Sequence, residues 1–163
     1  MSLTFKQAES KDMAALLFLI KELASYEHLE QEVTATEEIL TEWIFTKKKA
    51  EVIFPVLDGK IIGYCLYFYN FSTFLGKAGI YVEDLFIQPA FRHKGYGRKL
   101  LQHIARKAKN EGLGRVEWAC LDWNKPSIDF YLSLGAVPME GWSTYRLTEE
   151  KLIKFAQGDI SCK

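Results

Sequence analysis

Residues 92–97, Arg-His-Lys-Gly-Tyr-Gly, restrict the fold more tightly than any other stretch of this chain. Before them runs Tyr81-Val82-Glu83-Asp84-Leu85-Phe86-Ile87-Gln88-Pro89, which reads as a buried strand ended by proline. After them, Leu100, Leu101, Ile104, Ala105 and Ala108 recur at helical spacing, predicting a helix from about Gly97 to Asn110 that Gly112 and Gly114 terminate. A strand must therefore turn directly into a helix. Gly95 and Gly97 let backbone N–H groups approach a ligand closely, and the helix N-terminus aims further free N–H groups at the same spot. Arg92, Lys94, Arg98 and Lys99 add local positive charge to a chain whose net charge is zero. The combination describes a phosphate cradle.

Spacing excludes two other phosphate loops. A Walker loop needs Lys-Ser/Thr after its last glycine, and Arg98-Lys99 stands there instead. A dinucleotide fingerprint needs a third glycine where Leu100 sits.

The surrounding pattern alternates strands and helices. Leu3 to Ala8 reads as a first strand. Ser10 offers an N-cap for a helix carrying Met13, Leu16, Leu17, Ile20 and Leu23, and Thr34-x-x-Glu37 a capping box for a second helix through Ile44. Val52 to Leu57 and Ile61 to Phe71 flank Asp58-Gly59, a strong hairpin signal. Ile80 to Gln88, Arg115 to Leu121 and Trp142 to Leu147 are further strands; 126–134 and 148–156 are helices. The expectation is one domain over 1–163, of mixed α/β class, with antiparallel hairpins ahead of a β-α-β unit.

Composition closes off other classes. Zero net charge argues against a nucleic-acid binder. Cys65, Cys120 and Cys162 are an odd set without C-x-x-C spacing, which favours a reducing compartment over a disulfide framework. No apolar run reaches membrane-spanning length and no signal peptide is legible, so a cytoplasmic protein is expected. His28, His93 and His103 lack ligand spacing, so no metal site is expected; His93 is placed to touch a phosphate, and His28 and His103 read as surface residues.

Beyond the loop, Glu83-Asp84, the block Asp122-Trp123-Asn124-Lys125-Pro126-Ser127-Ile128-Asp129-Phe130-Tyr131 and Leu134-Gly135-Ala136 stand together with Lys21-Glu22-Leu23-Ala24-Ser25-Tyr26-Glu27 and the aromatic run from Gly63 to Gly76. Together these resemble the GNAT superfamily of N-acetyltransferases, in particular its spermidine/spermine (diamine) and thialysine acetyltransferase branch. The resemblance implies the GNAT fold: a mostly antiparallel central sheet of about seven strands flanked by helices and splayed between the fourth and fifth. It also implies acetyl-CoA as co-substrate and a homodimer.

Acetyl transfer to an amine requires the ammonium to lose a proton, the carbonyl oxygen to be stabilised, and the thiolate to leave. Glu83 and Asp84, adjacent on a strand and so expected on opposite faces, are the carboxylates able to attract the cation and relay its proton. The resemblance implies Glu83 as the water-relaying group. It implies Tyr131 as the general acid, where the residues alone allow a packed helix aromatic. Main-chain N–H groups of Leu85, Phe86 and Ile87 are the implied partners of the thioester carbonyl and the pantetheine arm. Arg92, His93, Lys94, Gly95, Tyr96, Gly97 and Arg98 would hold the pyrophosphate. Asn124, Pro126 and Ser127 match positions near the coenzyme, and are also ordinary helix-start residues. Tyr26 and Glu27 match an acceptor-contact segment, with Glu83 and Asp84 beside them as substrate-binding residues. Seven glutamates and no lysine or arginine lie between Glu22 and Thr46, a negative potential suited to a di- or polycation or simply a solvated acidic face. Lys125 departs from the acidic residue associated with the branch. The aromatic run could line an acceptor cleft or supply core. The expected acceptor is a small primary amine, polyamine first and then a lysine-like diamino acid; the rivals are a peptide acetyltransferase and an inactive coenzyme-binding module.

Overall fold

The computed structural model describes residues 2–159. Its sheet is built outward from two hairpins. Strand β1 (Leu3–Gln7) pairs antiparallel with β2 (Glu51–Leu57), which pairs with the short β3 (Lys60–Ile61) and with β4 (Gly63–Ser72). Asp58 and Gly59 take φ of 47° and 83°, the left-handed pair that a two-residue hairpin turn demands. Strand β4 pairs along its whole length with β5 (Lys77–Ile87). β5 then runs parallel to β6 (Val116–Trp118) through only three pairs, from Ile80↔Val116 to Val82↔Trp118.

Helices cover both faces of this sheet because alternate strand residues are apolar on each side. α1 (Met13–Glu27) lays Met13, Leu16 and Leu19 against Val52, Phe54, Tyr64 and Phe86. α3 (Tyr96–Asn110) lays Leu100, Ile104 and Ala108 against Ile53, Cys65, Tyr67, Ile80 and Val82. Each such large aliphatic side chain contributes about 1.5–3 kcal/mol on burial. Within the aromatic run, Tyr64 and Tyr67 are core, while Phe71 and Phe74 are exposed.

The chain divides into two compact units, Met1–Ala119 and Cys120–Lys163. The second holds α4 (Lys125–Leu132) and α5 (Glu149–Ala156). No helix among the described residues is long and apolar enough to cross a membrane.

Several expectations are corrected. Among the described residues the sheet has six strands rather than about seven. Trp142–Leu147 forms none: Trp142 is 77% and Tyr145 93% exposed, so the segment lacks both the ladder partner and the burial on which strand propensity depends. The strand expected over 115–121 stops at Trp118, where pairing with β5 ends, and Cys120 lies outside it. The second helix, α2 (Glu37–Thr41), is capped by Thr36, whose Oγ1 accepts from Ile39 N–H at 3.3 Å, and not by Thr34; a wider turn over Glu42–Thr46 continues it. Ser10 lies in a tight turn ahead of α1, where Asp12 instead accepts from Glu9 N–H at 2.8 Å and from Lys6. His103 is half-buried, its ring 4.6 Å from that of Phe5, while His28 is exposed as expected. Cys162 lies outside the described residues.

Candidate active site

The strand that carries Glu83 and Asp84 does not alternate evenly. β5 registers Asp84 against Leu66 and Val82 against Tyr67, leaving Glu83 as the extra residue of a β-bulge. Parity switches across it: Ile80 and Val82 pack on the α3 side, then Leu85 and Ile87 do, while Phe86 packs on the α1 side. Asp84 is thereby turned toward Tyr64, whose side chain belongs to the α1-side core. The expectation that the two carboxylates take opposite faces by simple alternation does not describe this strand. Glu83 is exposed and Asp84 half-buried. The bulge had a signal in the sequence, since the apolar positions Ile80, Val82, Leu85 and Ile87 skip by three across the Glu-Asp pair.

Asp84 Oδ2 accepts a 2.8 Å hydrogen bond from the hydroxyl of Tyr64, a fully buried side chain. Burial pushes the Asp84 carboxyl up to about 6, opposed by that hydrogen bond and assisted by the charges of Glu83 and Glu27. Burial also raises Glu27, at the end of α1. Tyr26, Glu27, Glu83 and Asp84 are thus gathered at one end of the first unit. Tyr26 is held by a cation: the Arg92 guanidinium lies 4.4 Å from its ring and 5.3 Å from that of Phe86, and Arg92 Nε donates to the Ile87 carbonyl at 2.8 Å. Gln88 Nε2, bonded to Glu22 at 2.8 Å, adds a second tie between α1 and the end of β5. Tyr64 was expected only as part of the aromatic run, and neither its bond to Asp84 nor the Arg92–Tyr26 contact was foreseen. Both are long-range pairings that one-dimensional spacing does not reveal.

Past the bulge, residues 83–87 of β5 have no β6 partner, because that pairing ended at Val82. This is the expected splay, since the short β3 makes the fourth and fifth expected strands, Ile80 to Gln88 and Arg115 to Leu121, into β5 and β6. Gln88 N–H donates to the Ile62 carbonyl at 2.9 Å and the Ile87 carbonyl faces Arg92, so by alternation the N–H groups of Leu85 and Ile87 point away from β4 toward the side that β6 has left, while Phe86, expected among the donors, turns its N–H to β4. The next turn presents more of them. His93 (φ 61°) and Gly95 (φ 79°) are left-handed, and Gly95 is the N-cap of α3 without a side-chain cap. Left-handed residues among right-handed ones fold successive N–H groups into an anion-binding concavity, and the first turn of α3 adds donors and the positive end of its dipole. His93, Lys94 and Gly95 are exposed, Tyr96 and Gly97 half-buried, and no atom lies within 4 Å of where a Gly95 Cβ would stand. An open rim of amides with Lys94, Arg98 and Lys99 beside it fits a diphosphate. Lys94 Nζ bonds the Ala90 carbonyl at 3.1 Å, which braces the turn.

The remaining residues singled out in the sequence lie at α4 of the second unit, described by itself. Asn124 is buried and its Oδ1 accepts from Ser127 N–H at 3.4 Å, so it caps the helix with Pro126 in the first turn. Tyr131 is half-buried on the same helix, its ring 5.3 Å from that of Phe130. Lys125 pairs with Asp129 at 3.1 Å on the exposed face, the ordinary use of an i,i+4 pair. Of the cysteines, Cys65 is buried and its thiol pushed well up by that burial, which makes it a poor nucleophile. Among the described residues no group of three His, Cys, Asp or Glu could hold a metal ion.

Comparison with known proteins agrees with this geometry. Residues 16–136 match the acetyltransferase (GNAT) family, whose enzymes use acetyl-CoA as co-substrate. The thialysine N-epsilon-acetyltransferase of Bos taurus is 33% identical over 163 residues, covering 93% of this chain and 95% of that protein. The L-ornithine N5-acetyltransferase of Arabidopsis thaliana is 42% identical over 95 residues, 58% of this chain and 42% of that protein. An integron cassette protein from the mobile metagenome of V. cholerae superposes with a TM-score of 0.80 at 26% identity, covering 96% of this chain and 99% of that one. A family match over most of the chain, on a sheet that opens where the glycine turn begins, has one reading: the chain belongs to the GNAT acetyltransferase family and is an N-acetyltransferase.

Proposed function

We propose that this protein transfers an acetyl group directly from acetyl-CoA to the terminal primary amine of a small cationic acceptor, either a lysine-like diamino acid or a polyamine. The observation that carries the reading is the continuity of the glycine turn with the unpaired end of β5, which together offer one line of main-chain donors. Acetyl-CoA supplies an acetyl group activated as a thioester. The turn from Arg92 to Arg98 binds its diphosphate, and the N–H groups of Leu85 and Ile87 orient the arm and donate to the carbonyl oxygen. A donor of this kind contributes about 3 kcal/mol to transition-state stabilisation. Asn124, Pro126 and Ser127 are the further residues proposed to bind the coenzyme.

The acceptor arrives as an ammonium, with a pKa near ~10.4. Tyr26, Glu27 and Asp84 hold it by charge and contact, and Glu83 takes its proton. Tyr131 gives its hydroxyl proton to the departing sulfur. Two relatives support an acceptor with a side-chain amine, since thialysine and ornithine are both diamino acids. The acidic stretch from Glu22 to Thr46 suits the same class of cation. The working form is taken to be a cytoplasmic homodimer. Support for the dimer comes from the second unit, where Trp142, Tyr145, Leu152 and Phe155 remain exposed. Light scattering on the purified protein should give twice the 18.8 kDa chain mass.

The deciding experiment follows thiol release from acetyl-CoA over a panel of thialysine, ornithine, lysine, spermidine and short peptides. Turnover on free amines with little on peptides is expected. Preference for peptides, or coenzyme A binding without thiol release on any amine, would overturn the assignment.

A further inference from the structure

The acceptor side of the site contains a bonded pair of which the chemistry above uses only Asp84. Tyr64 is a wholly buried tyrosine whose hydroxyl is spent on one atom, Asp84 Oδ2, at 2.8 Å. A tyrosine packed for its ring alone needs no carboxylate, and a half-buried carboxylate is costly unless something holds it. Burial and the adjacent negative charge keep the Tyr64 phenol protonated far above neutral pH, so it stays a donor throughout the working range.

Resting on the reading given under Proposed function, we propose that Tyr64 is a positioning residue for acceptor binding. Its hydroxyl fixes Asp84 through one oxygen and favours its ionised form, leaving the other oxygen to receive the acceptor's ammonium. The groups acting on Asp84 come from three elements. Tyr64 faces it from β4, Glu83 acts from its own strand and Glu27 from the end of α1. Burial, Glu83 and Glu27 all favour the neutral acid, and among these influences Tyr64 alone favours the charge. The Arg92 guanidinium nearby is committed to the Tyr26 and Phe86 rings and to the Ile87 carbonyl. Removing one phenolic oxygen should therefore let the carboxyl protonate at higher pH and release a cation it would otherwise hold.

Tyr64→Phe deletes that oxygen while keeping the ring that packs beside Phe86. The test measures kcat/KM against pH for wild type and variant on one diamine, so that the acceptor's own ionisation cancels in the ratio. The acidic limb should move up by about one pH unit, the size expected for losing one hydrogen bond to a carboxylate, while the Kd for coenzyme A stays unchanged. Carbon-13 titration of the Asp84 carboxyl should show the same upward shift without any turnover. Asp84→Asn, nearly inactive itself, should remove the titrating carbon-13 signal and so assign it to Asp84. Superimposable limbs in wild type and Tyr64→Phe, or an Asp84 titration that does not move, would overturn the inference and leave the acetyltransferase assignment intact. A wild type that acetylates no amine would remove the parent reading and this one together.

Discussion

Glu83 owes its exposure to being the surplus residue of a bulge, so its carboxylate can meet an incoming ammonium without first paying for desolvation by the core. A base is most needed where the acceptor is most protonated. At pH 7 only about one amine in 2,500 is free when its pKa is near ~10.4, and near pH 10 almost a third is. Glu83→Gln should therefore cost a hundredfold or more in kcat/KM near neutrality, at the low end of what a general base contributes, and the deficit should shrink steadily toward pH 10. A deficit that is flat across that range would mean Glu83 acts by shape alone. Tyr131 makes a different prediction because it serves the leaving group. Tyr131→Phe should lower kcat by about a hundredfold or more while calorimetry with coenzyme A returns the wild-type Kd. Unchanged turnover would remove the hydroxyl from the reaction. These two residues were legible in the sequence by their motifs. Tyr64 was not: its partner lies twenty positions away in the chain and meets it only through hairpin register.

The strand–turn–helix from β5 into α3 is the element most fully legible beforehand, because every constraint on it is local. Apolar strand, proline, two glycines and a helical stripe follow one another within a few residues. Its consequence is measurable at Gly95, which holds φ of 79° at the helix N-cap. Gly95→Ala should destabilise the fold by about 1 kcal/mol through backbone strain, and weaken coenzyme A binding by several-fold as the amides lose their common focus. Thermal denaturation and calorimetry separate the two effects; strain without a change in coenzyme affinity would detach this turn from the diphosphate. Elements that failed to appear where expected depended on something non-local. Trp142–Leu147 has the residue types of a strand, yet strand propensity is mostly cross-strand packing and no described strand packs against it. The strand expected at 115–121 ends at Trp118, where its pairing stops at Val82 beside the bulge at Glu83, a feature of its neighbour that its own residues do not announce. Thr34 and Thr36 both precede glutamates, and only the backbone decides which one caps.

Across the molecule, the acceptor-side carboxyls set a stability cost that depends on pH. The Asp84 carboxyl titrates at about 6 in the folded protein against an ordinary 3.8. Below about pH 4 it is protonated in folded and unfolded chains alike, and makes no difference to stability. Between about pH 4 and 6 the folded chain keeps a proton that the unfolded chain has released, so stability falls as pH rises. Above that window both forms are ionised and the full penalty, roughly 3 kcal/mol at most, is in place. Asp84→Asn cannot ionise, and its amide oxygen can still accept from Tyr64. The variant should be inactive or nearly so, yet more stable than wild type at pH 7.5 by up to roughly 3 kcal/mol, with the gap closing by pH 4. Asp12, whose carboxyl is held low by Lys6 and the Glu9 N–H, pulls the other way with pH, but it is common to both proteins and drops out of the difference. Urea unfolding of the pair at pH 4 and 7.5 measures this directly. A gap of the same size at both values would show that Asp84 titrates normally in the fold. A gap that opens with pH would mean the chain gives up stability where it must receive a cation, as a preorganised binding site does.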